Sequence, residues 1–417
     1  MGLNALFVGS SGLTANSSAL DLIGNNLANI NTTGYKTQRM LFKDVVYQTL
    51  NVGSAATDLI GGTNPAQLGF GVAVGSIGTL FAQGNLNPTG RQLDAGIQGP
   101  GFFVVRDGQE TAFTRAGAFS VDAAGFLNDP STGFRVQRFG AVGEGSATEP
   151  AFQIPGNQDI QIPFGAGAAG VPTASVRYQG NLSSALPVGG SGTTAIQVFD
   201  SQSTARALTV TFTKTAANTF TATASISGGT ATIAAPTVTF DTAGMLVSPA
   251  ALSVDISGIP GANAQTIALN LGNPGTATGV TQFGGVTTAS AITQDGAGFG
   301  TLVDVSIDQT GIIQGKFTNG RTIGLAQLAI AGFNNEDGLL RSGENYFRVS
   351  TASGEALVGL AGTGGRGTTL GGSLESANVD IAIEFSRLIV AQRGFQVNAR
   401  TITAANETLQ ELANILR

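Results

Sequence analysis

The chain has 417 residues, and only 11% of them are charged, against about a quarter in a typical soluble domain. Its net charge at pH 7 is −6, and it contains no cysteine, histidine or tryptophan. This composition excludes disulfides, thiolate or imidazole metal sites and the commonest general base, and the lack of a basic cluster argues against nucleic acid as a partner. We therefore predict no catalytic centre, no metal site and no cofactor, and we expect at least two domains at this length.

No stretch of the sequence approaches the ~20 apolar residues needed to span a bilayer, so we predict no membrane insertion. The first residues, MGLNALFVGSSGL, lack the basic residues that begin a secretory signal, and the first lysine is Lys36. We therefore expect no cleaved signal peptide. Because chains without cysteine occur on either side of a membrane, composition alone does not place the protein in a compartment.

The N-terminal segment has the apolar pattern of a helix. Leucines recur every seven residues and other apolar residues fill neighbouring helical positions; the set is Leu6, Leu13, Leu20 and Leu27, with Leu3, Ile23 and Ile30. The segment continues into NNLANINTTGYK, residues 25–36, whose asparagines supply an uncharged polar face. Gly34 is suited to the left-handed conformation that ends a helix. Gly9, Gly12 and Gly24 should each weaken this helix by roughly 1 kcal/mol relative to alanine.

The same spacing predicts a second helix at the C-terminus. Apolar residues recur every seven positions without interruption at Leu374, Ile381, Leu388, Phe395, Ile402, Leu409 and Leu416, supported by Phe385, Leu412 and Ile415. Because isolated helices of this kind are marginally stable, each stripe needs a packing partner. The two stripes are predicted to pack on each other and on copies of themselves, although two helices docked on the body of a monomer would fit the periodicity equally well.

Between the two ends the pattern changes to alternation. Apolar residues alternate with hydroxyl-bearing and other polar residues, for example at 208–213 and 252–257, and 61 glycines separate the short apolar runs, which predicts antiparallel sandwiches or barrels. Three stretches share an Asp-x-x-Gly pattern: SVDAAGFL at 120–127, TFDTAGML at 239–246 and SIDQTGII at 306–313. We interpret them as hairpin turns, since a calcium loop would supply several carboxylates where each copy supplies one.

These patterns together predict a mainly β fold with terminal α-helices. The paired, coiled-coil-like helices would occupy 1–30 and 374–417, with connectors at 31–70 and 366–373, a discontinuous inner β domain at 71–145 and 298–365, and an inserted outer β domain at 146–297. The division follows composition, because threonine, alanine, serine and glycine dominate the outer range, whereas phenylalanine, arginine and aspartate are more frequent on either side of it.

Two short motifs could carry chemistry, and we assign both of them structural roles. GTGGRG, residues 362–367, matches a dinucleotide-binding pattern, but it lacks the required strand and helix context, so we expect a flexible linker before the C-terminal helix. The adjacent acids Glu336 and Asp337 could serve a glycosidase, but they lie among asparagine and glycine, which favours a solvated turn.

The two termini resemble the rod and hook proteins of the bacterial flagellum. The resemblance is carried by NNLANINTTGYK and by SANVDIAIEFSRLIVAQRGFQVNARTI, which begins at residue 376. It continues through GNLNPTGRQLDAGIQGPGFF at 84–103, FTRAGAFSVDAAGFL at 113–127 and NNEDGLLRSGENYF at 334–347. Within that family, the single large insertion and the stretch VFDSQSTARALTVTFTK at 198–214 are most similar to the hook proteins.

The resemblance implies a structural subunit, and not an enzyme, that self-assembles into the flagellar hook. In that family the hook is a flexible curved tube, a universal joint that transmits motor torque from rod to filament and encloses the export channel. The implied partners are copies of the same chain, the distal rod protein, the hook–filament junction protein, the hook cap and the flagellar type III export apparatus. The implied location is the extracellular hook, reached without a cleaved signal peptide.

Three sets of residues are predicted to act in assembly and export. The candidates for subunit assembly are Leu6, Leu13, Leu20, Leu27, Ile30, Ile381, Leu388, Phe395, Ile402 and Leu409. The candidates for lining the channel, on the polar face of the C-terminal helix, are Gln392, Gln396, Asn398, Arg400 and Asn406. Phe42 and Val46 have a spacing that resembles the export-gate motif of rod and hook subunits, and an amphipathic stretch packed on the inner domain explains them equally well.

Other functions stay open from the sequence. A distal rod protein or a hook–filament junction protein shares the terminal signatures, although rod proteins lack a large outer domain. A secreted β-rich adhesin or enzyme would suit the threonine-rich strands, but it leaves the matched heptads at the two ends unexplained.

Overall fold

A helix forms near each end of the chain, and most of the regular structure between them is β-strand, in a computed structural model that describes residues 2–56, 60–108, 110–146 and 150–415. The predicted mainly β fold with terminal helices is confirmed. Leu416 lies outside the described residues, as do the side chains of Leu3, Leu412 and Ile415. Neither of the two described helices is long and apolar enough to cross a lipid bilayer.

The N-terminal helix is followed by a long two-stranded arm. Helix α1 spans Gly2–Ala28, and the arm consists of β1 (Gln38–Asp44), β2 (Tyr47–Asn51), β3 (Ala66–Gly69) and β4 (Val72–Thr79). β1 pairs with β4 and β2 with β3, both antiparallel, and backbone hydrogen bonds between Val45 and Gly71 and between Phe70 and Val46 continue the ladder. The arm therefore extends through Thr79, whereas the sequence placed 71–79 in the inner domain.

Short strands follow the arm and precede the inserted region. They are β5 (Leu86–Pro88), β6 (Ala95–Gln98), β7 (Phe102–Asp107), β8 (Glu110–Thr114), β9 (Ser120–Val121), β10 (Leu127–Asn128), β11 (Arg135–Val136) and β12 (Gly167–Ala168).

The inserted region itself has longer strands. They are β13 (Ser175–Asn181), β14 (Ser191–Phe199), β15 (Ala205–Ala216), β16 (Thr219–Ile226), β17 (Thr230–Ile233), β18 (Thr237–Phe240), β19 (Leu246–Ser248), β20 (Ala251–Ser257), β21 (Gln265–Asn270), β22 (Val280–Thr281) and β23 (Ser290–Gln294).

The chain then returns through a third group of strands to the C-terminal helix. These elements are β24 (Gly300–Ile307), β25 (Ile312–Phe317), β26 (Thr322–Gln327), β27 (Ile330–Gly332), β28 (Leu340–Arg341), β29 (Tyr346–Arg348), β30 (Leu357–Gly359), β31 (Thr368–Gly371), β32 (Ser373–Glu375) and α2 (Ile381–Ile415), with a 3₁₀ turn at Glu336–Gly338.

Strands from both sides of the insertion share one core. A nine-stranded sheet has the order β28-β29-β8-β7-β11-β10-β9, with β27 beside β7 and β30 beside β27, and a four-stranded sheet has the order β12-β24-β25-β26. Phe103, Leu127 and Ile160 from the first stretch are buried with Leu325 and Ile330 from the second. Two stretches that are far apart in sequence thus fold as one packing unit, which we call the inner unit.

The inserted strands enclose a second core and form what we call the outer unit. One sheet has the order β17-β20-β21-β13-β22, with β23 beside β13, and the other has the order β14-β15-β16-β18-β19. The alternation read from the sequence is confirmed at Leu208, Val210 and Phe212, which all point into this core. The chain enters and leaves the insertion through a paired bridge between Val171 and Ala297.

The insertion begins later than its composition indicated. Phe152, Ile160, Ile162 and Ala168 lie within the range 146–297, yet they belong to the first core. The compositional shift precedes the structural boundary because the end of this stretch still belongs to the first core, where Gly167 and Ala168 of β12 pair with Thr301 and Gly300 of β24. The insertion therefore begins near residue 172.

Both helix ends nearest the β region differ from the expected positions. Leu374 lies in β32 rather than in a helix, because Ser373–Glu375 pairs with β5, and α2 begins only at Ile381, where the Asp380 carboxylate accepts a hydrogen bond from the Ile383 amide at 3.0 Å. At the other end α1 stops at Ala28, so Ile30 lies in the turn that follows.

The three Asp-x-x-Gly stretches form the predicted turns. In each, a glycine with positive φ (Gly125, Gly244 and Gly311) donates its amide to the carbonyl of the preceding aspartate. The aspartate side chain accepts amide hydrogen bonds within the same turn, for example Asp308 from Ile312 at 2.9 Å. Asp200 makes the same arrangement with Thr204, but Ser203 takes the positive φ there in place of glycine, which is why the pattern did not reveal it.

The stretch GTGGRG is an anchored turn and not a flexible linker. Gly362, Gly364 and Gly365 have positive φ, and the Arg366 guanidinium donates a hydrogen bond to the Leu360 carbonyl at 3.0 Å. Strands β31 and β32 lie between this turn and α2.

Candidate assembly surfaces

The two terminal helices pack against each other in antiparallel orientation through small side chains. Ala19 and Ile23 of α1 are buried with Ala391 of α2. Towards the start of α1, a Cβ added to Gly12 would lie 2.6 Å from Oδ1 of Asn398, and one added to Gly9 would lie 2.8 Å from Cγ1 of Ile402. These glycines therefore allow a close helix approach, and at these two positions the cost in helix propensity is offset by packing.

The predicted leucine stripe lies beside this contact and does not form it. Among the predicted assembly residues, Leu6, Leu13, Leu20, Leu27, Ile30, Leu388, Phe395, Ile402 and Leu409 are half-buried, and Ile381 is exposed. Leu20, Leu27 and Leu388 pack on the edge of the buried cluster. Direct packing of one large apolar stripe on the other is thus only partly observed, because the glycine and alanine positions bring the helix axes too close for leucines to occupy the centre.

Asn26 joins α1, the arm and α2 at a single buried side chain. Its Nδ2 donates to the Gln38 carbonyl at 2.9 Å and to Oε2 of Glu384 at 3.3 Å. Its Oδ1 accepts hydrogen bonds from the Tyr35 hydroxyl at 3.1 Å and from the Gln38 amide at 3.0 Å. The residue is fully buried, and four protein groups take the place of water as hydrogen-bond partners of its side-chain amide. It therefore fixes where the arm leaves the helix pair.

A second buried cluster ties both connectors to the inner unit. Nζ of Lys36 lies 2.6 Å from Oε1 of Glu375, and both side chains are completely buried. NH1 of Arg115, from the inner unit, lies 3.4 Å from Oε2 of the same glutamate. Lys36 also donates to the Ala82 carbonyl at 2.9 Å. Residues 36, 115 and 375 thus hold the N-terminal connector, the C-terminal connector and the inner unit in one register.

Burial perturbs the titration of these groups. It lowers the pKa of the Lys36 ammonium below its ordinary value, and the adjacent Glu375 opposes that shift. Burial likewise raises the pKa of Glu336, against the attraction of Arg115 and Lys36. Glu336 was expected in a fully solvated turn, but it is half-buried beside these cations, and only Asp337 is exposed.

The surfaces that stay uncovered on α2 and the arm are unusually apolar. On α2 the exposed side chains include Ile381, Phe385, Ile389, Val390 and Val397, each at least half accessible. On the arm they include Leu41, Phe42, Val45, Val46, Tyr47, Leu50, Val52, Leu68, Phe70 and Ile77. Clusters of this kind mark interaction surfaces in soluble proteins.

The candidate channel-lining residues separate into two groups. Gln392, Gln396, Arg400 and Asn406 are exposed on α2. Asn398 is not, because its side chain lies against Gly12 in the α1–α2 contact and its Nδ2 donates to the Gly394 carbonyl at 2.8 Å. Its assignment to the polar face was wrong because the interface between the helices contains amides as well as apolar groups, with Asn16 against Gly394 as a second example.

The two candidate export residues are accessible on the arm. Phe42 in β1 is 49% exposed and Val46, between β1 and β2, is 69% exposed. Neither belongs to the core of the inner unit, so the alternative in which this stretch packs on that unit is not observed.

Of the residues that make the closest contacts, sequence reasoning assigned only Ile23 to the packing stripe. Gly9, Gly12, Asn16, Ala19, Ile23 and Asn26 follow the alternating three- and four-residue spacing of a helix seam, but only one of them is a large apolar residue. A search for small residues at that spacing would have found them. In the part of the chain that the structure describes, no group of three or more acidic side chains is placed to hold a metal ion.

Family models of known proteins match four successive segments of the chain. Residues 6–36 match the family model for the flagella basal body rod protein, and 370–415 match that for the flagellar basal body rod FlgEFG protein C-terminal region. Residues 96–183 match the flagellar hook protein FlgE/F/G D1 domain, and 183–297 match the flagellar basal body protein FlaE D2 domain. The chain thus has the terminal and β segments of flagellar axial proteins.

Similarity over the whole length identifies the family. The chain is 36% identical to the flagellar hook protein FlgE of Treponema pallidum, with all of both chains covered. It is 34% identical to that of Escherichia coli, with 97% of this chain and 98% of the relative covered. The chain belongs to the flagellar hook protein family. A crystal structure of the Helicobacter pylori hook protein FlgE2 shares the fold, with a TM-score of 0.50 and 16% identity over 69% of this chain and all of that one.

Proposed function

We propose that this chain is the structural subunit of a flagellar hook, which polymerises into a curved tube that transmits torque from rod to filament. The observation that carries the proposal is the pair of terminal helices, which bury only a narrow seam of small residues and leave large apolar side chains accessible on α2 and on the arm. A monomer gains nothing from exposing Phe385 or Val390 to water, whereas packing between subunits would bury them.

In the proposed tube, α2 lines the channel with its polar face. Gln396 and Arg400 are exposed on the side of α2 opposite the α1 contact, as judged from the helical repeat, and Gln392 and Asn406 lie towards one flank. A mostly neutral, amide-rich wall would hold passing chains weakly, since burying apolar segments against it gains little free energy. Asn398 has no part in this lining.

The remaining roles follow from the same proposal. We assign the chain no catalytic activity, and its partners would be further copies of itself, the distal rod protein, the hook–filament junction protein, the hook cap and the type III export apparatus. Export would proceed without a cleaved signal peptide, with exposed Phe42 and Val46 as contacts for the export gate. The division into helical base, connectors, inner and outer β domains would let the outer domains slide while the helices hold the tube together.

Electron microscopy of the concentrated, purified chain tests the proposal. The unaltered chain should form tubes, and a variant with both Leu20→Asp and Phe395→Asp should form none while its β-sheet circular dichroism is unchanged. Both side chains are half-buried on the terminal helices, and neither belongs to either β core. Normal tubes from the double variant, or a stable monomer from the unaltered chain, would contradict the proposal.

A further inference from the structure

A groove opens on one side of the helix pair, where the arm crosses it. It has a volume of about 320 Å³ and lies between α1, β1 and α2. Its apolar lining includes Leu22, Ile23, Met40, Phe42, Val390 and Ala391, and the charged side chains of Arg39, Glu384 and Arg387 line it as well. Because a cavity of about 150 Å³ is enough to hold a benzene ring, this groove has room for an aromatic side chain and an aliphatic neighbour.

A ridge of exposed apolar side chains lies on the other flank of α2. Ile381, Phe385 and Ile389 follow one another at four-residue spacing, and they are 52%, 52% and 56% exposed. None of the three lines the groove. At 3.6 residues per turn, the seam that contacts α1 lies between this ridge and the flank that carries Val390. By the same repeat Ile381 and Phe385 project from the flank opposite Val390, whereas Ile389 turns towards the side of α2 that faces away from α1.

We propose that the ridge of one copy inserts into the groove of the next copy, with the Phe385 ring as the central side chain. This contact rests on the proposed function, because it specifies how neighbouring subunits of the polymer meet. Every copy thus carries both a ridge and a groove, and each of the two contacts its counterpart on a neighbouring copy.

The occupant is a second copy because the chain itself carries the matching surface. The floor of the groove continues the buried α1–α2 contact, since Ile23 and Ala391 belong to both, so an inserted ring would extend an existing core. Two of the three charged side chains that line the groove are paired with each other, with NH1 of Arg387 lying 2.7 Å from Oε1 of Glu384, and the third, Arg39, is exposed. The ridge is uncharged, so it does not compete with the Arg387–Glu384 ion pair. A helix whose apolar side chains enter an apolar groove is a common mode of recognition.

The contact also explains why association would continue instead of stopping at a dimer. Two identical patches that meet face to face close a pair, whereas two different patches on one chain add subunits head to tail and generate a ring or a helix. The ridge and the groove are different patches, so their contact belongs to the head-to-tail kind from which a helical tube can be built.

Mixing two variants tests this assignment. Phe385→Asp removes the ridge and Val390→Asp spoils the groove, and both side chains are more than half exposed, so folding should be retained. Each variant alone should need a concentration about tenfold higher or more to polymerise. Mixed together they should form pairs and stop, because only the intact groove of one and the intact ridge of the other can combine. Analytical ultracentrifugation distinguishes monomers, pairs and polymers.

The outcomes separate this contact from the proposed function. If the unaltered chain forms tubes and both variants do so at the same concentration, or if the mixture stays monomeric, the ridge-and-groove contact is overturned and the hook proposal stands. If the unaltered chain itself never polymerises, both fail.

Disulfide trapping gives a second readout, because a cross-link reports proximity and can form even when the contact is weakened. The chain has no cysteine, so Phe385→Cys on one copy and Val390→Cys on another supply the only thiols, and a size tag on one variant distinguishes the cross-link between variants from those within a variant. Oxidation of assembled tubes made from both should yield a cross-linked dimer. The matched control replaces Val390→Cys by Val397→Cys, which is 61% exposed and lies about two turns further along α2, outside the groove. Equal cross-linking in both mixtures would contradict the assignment.

Discussion

Asn26 is the residue on which three elements converge. It lies at the end of α1, reaches Glu384 at the start of α2, and holds the backbone of Gln38 where the arm begins. A buried amide with all of its capacity used stabilises only modestly, but leaving its partners unpaired is costly. The asparagine-rich stretch that begins at residue 25 thus contains one residue of structural importance among several that lie at the surface.

Replacing Asn26 by leucine should therefore destabilise the junction. Asn26→Leu keeps the side-chain size but leaves the Gln38 carbonyl and the Tyr35 hydroxyl without this partner, at an expected cost of about 1–3 kcal/mol. Amide hydrogen exchange of the first turns of α2 measures it. The control is Asn29→Ala, since Asn29 bonds only with its own turn and is more accessible. Equal protection in the two variants would show that Asn26 does not hold the junction.

Asp308 illustrates how a turn residue confers a pH dependence. Burial alone would raise the pKa of this carboxyl, but hydrogen bonds from the Thr310 side chain and the Ile312 amide outweigh it and hold the pKa below its ordinary value. The folded state thus binds the proton more weakly than the unfolded state. The contribution to stability is present above the ordinary pKa of about 4 and is lost as the pH falls through the lower, folded-state pKa.

Asp308→Ala should accordingly lower the free energy of unfolding at neutral pH by about 1–3 kcal/mol, and the difference from the unaltered chain should shrink at about pH 3. Denaturant titrations followed by β-sheet circular dichroism provide the measurement. Asp308→Asn keeps a hydrogen-bond acceptor and should lose less. A difference that stays constant from neutral to acidic pH would show that the charged form has no special stability in this turn.

At the scale of the elements, the helix pair depends on where its glycines lie. An added Cβ on Gly12 would lie 2.6 Å from Oδ1 of Asn398 and would force that side chain out of its place, whereas an added Cβ on Gly24 would meet nothing within 4 Å. The two residues share one helix, so they form a matched pair for a single substitution.

Gly12→Leu should separate α1 from α2, and Gly24→Leu should not. Overpacking at Gly12 is expected to cost about 1–3 kcal/mol, whereas at Gly24 leucine should strengthen the helix through its higher propensity. Helical circular dichroism during thermal unfolding compares them. Similar losses in both variants would mean that the helices do not approach each other closely at Gly12.

The sequence revealed the elements better than it revealed their contacts. Alternation predicted the buried faces of the long strands, and Asp-x-x-Gly predicted three turns, because both patterns depend on local geometry. The heptads predicted both helices but not their seam, since a leucine stripe is easier to see than glycines and amides at the same spacing. The Lys36–Glu375 pair joins residues that are 339 positions apart, and no local pattern links them.

At the scale of the whole molecule, the outer unit is attached through a narrow neck. Val171 and Ala297 exchange two backbone hydrogen bonds of 2.9 Å where the chain enters and leaves it. The two cores share no residue, so the inner core does not depend on the outer one for its packing.

Removal of the insertion should leave the rest able to assemble. A chain in which residues 173–295 are replaced by a short glycine linker joins two ends that already lie side by side. It should still form tubes, with altered curvature, because the helix pair and arm are intact. A comparison of tube shape by electron microscopy measures the effect, and complete loss of assembly would show that the outer unit is needed to build the tube.

The central claim is that the terminal helices form the wall of a tube whose outside is built from the two β units. Helical reconstruction of the assembled chain by electron cryomicroscopy tests it most directly. We predict α-helical density at the smallest radius, with α2 bordering the channel and the insertion at the largest radius. A polymer with β-sheet at its centre, or with the terminal helices on its outer surface, would contradict the account.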